Sequence, residues 1–446
     1  MNKNKVLFII IVVALALFLG FLFKTLSGDS GSPTSAQTGW SWEVNIWTLW
    51  GDTIWVQALL ESFKQSNPRY TNVVFNVQNF SDYGTYIYTL SSAISKNQAP
   101  DIFVLNNNDK SIFADHSVSI PSDIINASDF RKKYKAVFGE DLIASFWEDG
   151  EFVSGVPLGY ESLGIFYNRK FVQSSELSSQ AALSSIVSSI SQKYDDKIGI
   201  ALWNGSSIVD AVDIITQYFL LSWIDHLEKL DDKTIKTAME TYFRYGSDGS
   251  DNWYDSDVFV DLLSTGRNNL DLFSQGDLAM VVGYPRMLQQ ISEKWYSKKF
   301  LLASPFPHYV WESGQTLINY NYFAVNKDSL QTTLAYNLLA YMTTETAVEA
   351  YLKNYSYYLP ALLSLESQFL SQKLDESYNI SLWDFYNSDY ELSSFNKSIK
   401  TSYDREMIAI LDNAPSYKAL TQQLQNSLLC QSKKIHLFEN LSAACE

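Results

Sequence analysis

Six short segments of the chain carry residues suited to gripping a polar ring: Trp50 and Asp52; Asn107, Asn108 and Asp109; Tyr160 and Glu161; Trp203 and Asn204; Tyr284 and Arg286; and Tyr320. Flat aromatic faces match the apolar C–H faces of pyranose rings, while carboxylates, amides and arginine form charge-assisted hydrogen bonds to hydroxyls. Carboxylates beside aromatic rings also make a cage for a cation such as a polyamine. Packing competes with both readings, because most of the 28 tyrosines and 12 tryptophans in a chain of 446 residues must fill cores. Asp52 is equally suited to be a charge at a helix start, and Tyr320 a packed hinge ring.

No catalytic apparatus accompanies these groups. The four histidines, His116, His226, His308 and His436, are widely scattered, and the sequence has no HExxH, GxSxG or Walker glycine-lysine pattern. Carboxylates are too plentiful for one glycosidase pair to stand out. The acidic run Ser247 to Asp257 lacks the spacing of a calcium loop and reads as solvated. Binding rather than turnover is therefore expected, with no metal and no cofactor. A net charge of −16 argues against nucleic acid and anionic membrane surfaces as partners, since each calls for a basic footprint.

The elements that must position these residues are most legible in Phe273 to Pro285, FSQGDLAMVVGYP. Gly276 suits a left-handed helix end, LAMVV suits a strand buried on both faces, and Gly283 with Pro285 break that strand. The break leaves Tyr284 at the carboxyl edge, where ligands bind in open α/β sheets. Strand and helix patterns alternate along the chain, which predicts mainly parallel sheets.

This run resembles the phenylalanine, glycine, Ala-Met, glycine pattern of the extracellular solute-binding proteins of ABC importers, in the branch containing the maltose-binding proteins. Its neighbours are similar in order: VNIWTLWGD, VVFNVQNF, SSAISKNQAPDIFVLNNND, DGEFVSGVPLGYESLGIFYNRKF with Val156, Pro157, Tyr167 and Asn168, then SPFPHY, NYNYFAVNKDS and a closing helical stretch with Leu359 and Pro360. The likeness spans residues 42 to 365. It implies a two-lobed periplasmic-binding-protein-like fold of type II, each lobe a mainly parallel sheet flanked by helices. Lobe 1 would comprise residues 42–159 and 285–319, and lobe 2 residues 160–284 and 320–429, with Phe273 to Pro285 as the second crossing and the segment around Tyr320 as the third. A solute, most readily a sugar or oligosaccharide, would bind in the cleft and be delivered by a monomeric receptor to ABC permease subunits. An anchored sensor without a permease is the alternative. Arg286 falls where maltose-type relatives often place a stacking tryptophan, which argues against a maltodextrin.

The ends of the chain speak to location. Val6 to Phe23 is an unbroken apolar run of eighteen residues, about 27 Å as a helix against roughly 30 Å of hydrocarbon. Lys3 and Lys5 precede it, so residues 1–5 are expected in the cytoplasm and the body outside. A cleaved signal peptide is the competing reading. With no cysteine before Cys430, a lipid-modified cysteine is excluded here. Residues 24–41 form the expected flexible tether. In the tail, residues 430–446, Cys430 and Cys445 are either a terminal disulfide or two thiols.

Overall fold

A computed structural model describes residues 42–413, apart from 50–52, 147–149, 195, 203–204, 223–236, 239–241, 243–266, 295–299, 310–313, 354–356, 376 and 396–399, together with residue 426. The expected anchor at 6–23, the tether, the acidic run 247–257 and both cysteines lie outside the described residues. Among the described residues no helix is long and apolar enough to cross a membrane.

The first half of the body builds most of one sheet and a separate two-stranded hairpin. Strand β1 (Glu43–Leu49) pairs in parallel with β2 (Val74–Phe80) and β3 (Ile102–Asn106). Helix α1 (Thr53–Ser66) connects β1 to β2 and buries Val56, Leu59, Leu60 and Phe63, the spacing of one apolar stripe. Helix α2 (Tyr83–Ser95) follows β2 and is capped by Asp82, whose carboxylate accepts from the Thr85 amide. A short strand β4 (Ser117–Val118), helices α3 (Ala127–Lys133) and α4 (Ala136–Leu142), and the hairpin β5 (Ile143–Phe146) and β6 (Gly150–Val153) lead to β7 (Val156–Ser162). All seven residues of β7 are buried, the pattern of a strand covered on both faces.

One residue, Leu163, separates β7 from β8 (Gly164–Asn168), yet the two strands belong to different sheets. The second sheet adds β9 (Ile198–Ile200), β10 (Leu278–Gly283) and β11 (Leu301–Pro305) in the order β11-β8-β10-β9. Helices α5 (Gln180–Lys193), α6 (Ala211–Leu221), α7 (Asn269–Gln275) and α8 (Met287–Lys294) accompany it. Gly276 closes α7 at φ 81°, as its place after an apolar helix predicts, and β10 is buried throughout.

The long strand β12 (Gln315–Asn326) returns to the first sheet, where it pairs with β3 and β7. Helices α9 (Thr332–Met342) and α10 (Glu345–Leu352) follow, then β13 (Leu359–Pro360) beside β7, α11 (Glu366–Leu370), β14 (Glu391–Ser393) beside the start of β12, and α12 (Lys400–Asn413). The first sheet runs β13-β7-β12-β3-β1-β2, with β4 and β14 also on β12. Every residue of α6 is buried, and its Gln217 holds the start of β12 by donating to the Gln315 carbonyl (2.8 Å) and accepting from the Leu317 amide (2.7 Å).

This topology corrects two expectations. After Pro285 the chain does not cross; it forms α8 and returns as β11 to the second sheet, antiparallel to β8. Crossing back happens between β11 and β12, so 301–305 belong with the second sheet and 320–326 with the first. The sheets are also mixed, since β12 is antiparallel to β3 and β7, and β8 to β10. The segment between β11 and β12 is fastened to the residue before β14: the His308 ring stacks on Tyr390, centroids 3.6 Å apart and 3° from parallel.

Candidate functional site

Strand β3 ends in an amide network. Asn106 is buried, and its side chain donates to Asn319 Oδ1 (2.7 Å), Asn321 Oδ1 (3.2 Å) and the Tyr320 carbonyl (3.3 Å) of β12. Its own Oδ1 accepts from the Asn108 amide (3.2 Å) and Asn108 Nδ2 (2.9 Å). Asp109, fully buried, accepts from the Asn106 amide (2.8 Å) and from the Tyr83 hydroxyl. Asn108 and Asp109 are thus engaged in shaping the turn rather than offered to solvent. Asn107 is half-buried, and its Oδ1 accepts from the Tyr320 amide at 3.4 Å.

A second cluster forms where the sheets meet. Glu161 lies near the end of β7 in the first sheet; Tyr284 and Arg286 leave β10 in the second; Asp210 and Asp213 begin α6. The Arg286 guanidinium donates to Glu161 Oε2 and, at 2.8 Å, to Asp210 Oδ1, and lies 4.4 Å from the centre of the Tyr284 ring. The Tyr284 hydroxyl donates to Asp213 Oδ2 at 3.0 Å. Asp210 adopts the left-handed φ of 57°, which turns its carboxylate out of the helix start.

The electrostatics are uneven, with two carboxylates on one guanidinium and a third, Asp213, behind the Tyr284 hydroxyl. Glu161 is 3% exposed and its Oε1 has no hydrogen-bond partner. Burial pushes its carboxyl up to about 7; Asp210 adds to the rise and Arg286 opposes it. The Arg286 side chain, 36% exposed, is the part of the cluster that meets solvent. Glu161 Oε1 is an unpaired acceptor for a hydroxyl or ammonium donor, but it is closed to solvent in this arrangement.

The remaining expected contacts are placed differently. Tyr160 is fully buried, its ring 5.8 Å from Phe138. Tyr320 meets the same phenylalanine edge-on at 4.9 Å and donates its hydroxyl to Asp141 Oδ2 at 2.7 Å. Tyr284 too is closed to solvent. These three tyrosines, expected to offer ring faces, are core rings whose hydroxyls end in polar seams or stay unpaired. Trp50, Asp52, Trp203 and Asn204 lie outside the described residues.

Three residues of this region went unread in the sequence. Asp210 and Asp213 had a signal, an acidic pair three residues apart at a helix start. Asp412 had none: it accepts from the Gly205 and Ser206 amides at 3.0 and 2.9 Å, fastening α12 to the loop after residues 203–204 from more than 200 positions away. Among the described residues no group of histidine, cysteine, aspartate and glutamate could hold a metal ion.

A family model for bacterial extracellular solute-binding proteins matches residues 58–375. No curated protein sequence matches significantly. Among solved structures, the ABC substrate-binding protein Lmo0181 from Listeria monocytogenes, in complex with cycloalternan, superposes at TM-score 0.63 with 16% identity, over 88% of this chain and 99% of that one. The GacH receptor of Streptomyces glaucescens, solved unliganded and with acarbose, gives 0.60 with 16% identity, over 90% and 100%. The sugar-binding protein MalE from Xanthomonas citri gives 0.63 with 15% identity, over 89% and 100%. At such identities the likeness is one of fold: a two-lobed α/β architecture.

Proposed function

The chain belongs to the bacterial extracellular solute-binding protein family, and on that premise we propose that it is the extracytoplasmic receptor of an ABC importer, binding a sugar or oligosaccharide between its two sheets. The observation that carries this reading is the meeting of Glu161, Arg286 and Asp210 at the junction of the sheets, with one buried carboxylate oxygen unpaired and the Arg286 side chain about a third exposed. Solute binding there would bias an open and closed equilibrium by its differential affinity for the closed form. Relatives solved with cycloalternan and acarbose support a carbohydrate. The excess of carboxylates over cations in the cluster supports a second solute class, polyamines.

In this reading Val6 to Phe23 anchors the body outside the cell, and the monomeric receptor hands its solute to membrane permease subunits. Two lobes pivot at Leu163, each built around one of the sheets. A thermal-shift screen of the full chain against oligosaccharides, polyamines and amino acids tests the solute class. Saturation at about 100 times the dissociation constant adds about 2.7 kcal/mol. A shift with an oligosaccharide supports the reading, a shift with spermidine alone moves the solute class, and none with any small solute refutes the receptor role. Co-purification with permease subunits after mild crosslinking separates the importer from an anchored sensor.

A further inference from the structure

We propose that Arg286 is a positioning residue that couples the two sheets, holding them closed before any solute arrives. The inference rests on the two-lobed receptor reading and concerns the regulation of that same site. On the second-sheet side the guanidinium is held twice, by Asp210 at 2.8 Å and by the Tyr284 ring at 4.4 Å. Tyr284 is itself fixed, fully buried and bonded to Asp213. Across the junction the guanidinium donates to Glu161 of β7 in the first sheet, and it also feels the Tyr358 hydroxyl beside β13. Among the described residues, Lys135–Glu366 stays with the first sheet, and Lys197–Asp277 and Lys294–Asp271 with the second.

Burial gives this link its directional force. Glu161 is 3% exposed, its Oε1 has no partner, and Arg286 is the hydrogen-bond donor found on its other oxygen. Any rotation that draws β10 away from β7 strips the carboxylate of that donor while its backbone stays inside the first sheet. Leaving a buried charge uncompensated is far costlier than losing a surface ion pair. The solute-free molecule therefore favours the arrangement in which Arg286 spans both sheets, and part of the closure that a solute would otherwise have to drive is already in place.

The test needs no solute. In full-length protein carrying Cys430→Ser and Cys445→Ser, spin labels at Tyr88→Cys on α2 and Ser189→Cys on α5, both exposed, report the distance between the two sides by electron–electron resonance at pH 8. The parent should give a single short distance. Arg286→Met and Glu161→Gln should each move the majority of the distribution to longer distances, and Arg286→Lys, which keeps the charge but not the two-pronged reach, should lie between. Melting curves establish that each variant folds; should Arg286→Met fail to, the isosteric Glu161→Gln carries the test. Superposable distributions in the parent and Glu161→Gln, or a parent already at the long distance, would overturn the proposal. Either result leaves the receptor reading intact, since that depends on the solute screen, and a failed screen leaves this measurement unaffected.

Discussion

Replacing Glu161 by glutamine should change how stability depends on pH between about 4.5 and 7. The carboxyl is buried and its folded-state value is raised from 4.5 to about 7. In that window the folded protein keeps a proton that the unfolded chain has released, so this group's contribution falls as pH rises and is fully lost above 7. At about 1.4 kcal/mol per pKa unit, the loss across the window is roughly 3 kcal/mol. A second group works against it. His308 is buried, its value lowered by burial to about 3, so it stays neutral when folded and its contribution rises with pH between about 3 and 6.5. The wild-type profile alone is therefore ambiguous, and the difference between wild type and Glu161→Gln is the informative quantity because His308 cancels in it. Urea unfolding at half-unit intervals from pH 4 to 8.5 should show the variant gaining on the wild type by up to roughly 3 kcal/mol, most of it between pH 5 and 7. Either of two results would refute the reasoning: a flat difference, in which Arg286 cancels burial, or a variant that loses ground as pH rises, in which Arg286 outweighs burial and the folded carboxyl titrates below its unfolded value.

Other substitutions probe the scaffold. Tyr284→Phe removes the donor to buried Asp213 and should cost about 1–3 kcal/mol in urea unfolding. Gly199→Ala would place a methyl 2.9 Å from the Val187 Cα and Cγ1 of α5, where backbone cannot easily yield, and should cost about 1–3 kcal/mol by the same measure. Asp412→Ala leaves the Gly205 and Ser206 amides without their acceptor; hydrogen exchange at those two amides should accelerate while exchange in β1 and β3 is unchanged.

The reading of sequence succeeded where structure is local. The run ending at Gly283 is a helix, a left-handed glycine and a strand buried on both faces, because each step is dictated by residues within a turn of one another. It failed at Tyr284, the next residue. Whether an aromatic at a strand end faces solvent or core depends on what packs above it, and Asp213 arrives from a helix 71 positions earlier. The division into lobes failed for a related reason: nothing in the sequence from Pro285 to Leu301 says whether the strand after α8 rejoins the same sheet. Of the candidate contacts, Glu161 and Arg286 form one cluster, but Asp109, Tyr160 and Tyr320 are held inside by partners the spacing could not announce.

The one-residue step at Leu163 has a mechanical consequence. With β7 in one sheet and β8 in the other, the peptide between them is too short to stretch or slide, so the two bodies share a fixed point and retain chiefly angular freedom. The contact between His308 and Tyr390 ties the segment that leads from β11 to β12 onto the residue before β14, removing further independent movement. What remains approaches a lever with a single coordinate. A small change of angle at the pivot, where the charges lie, becomes a large displacement at the far rims of both bodies, so in the proposed receptor a surface that never touches the solute would still report whether it is there.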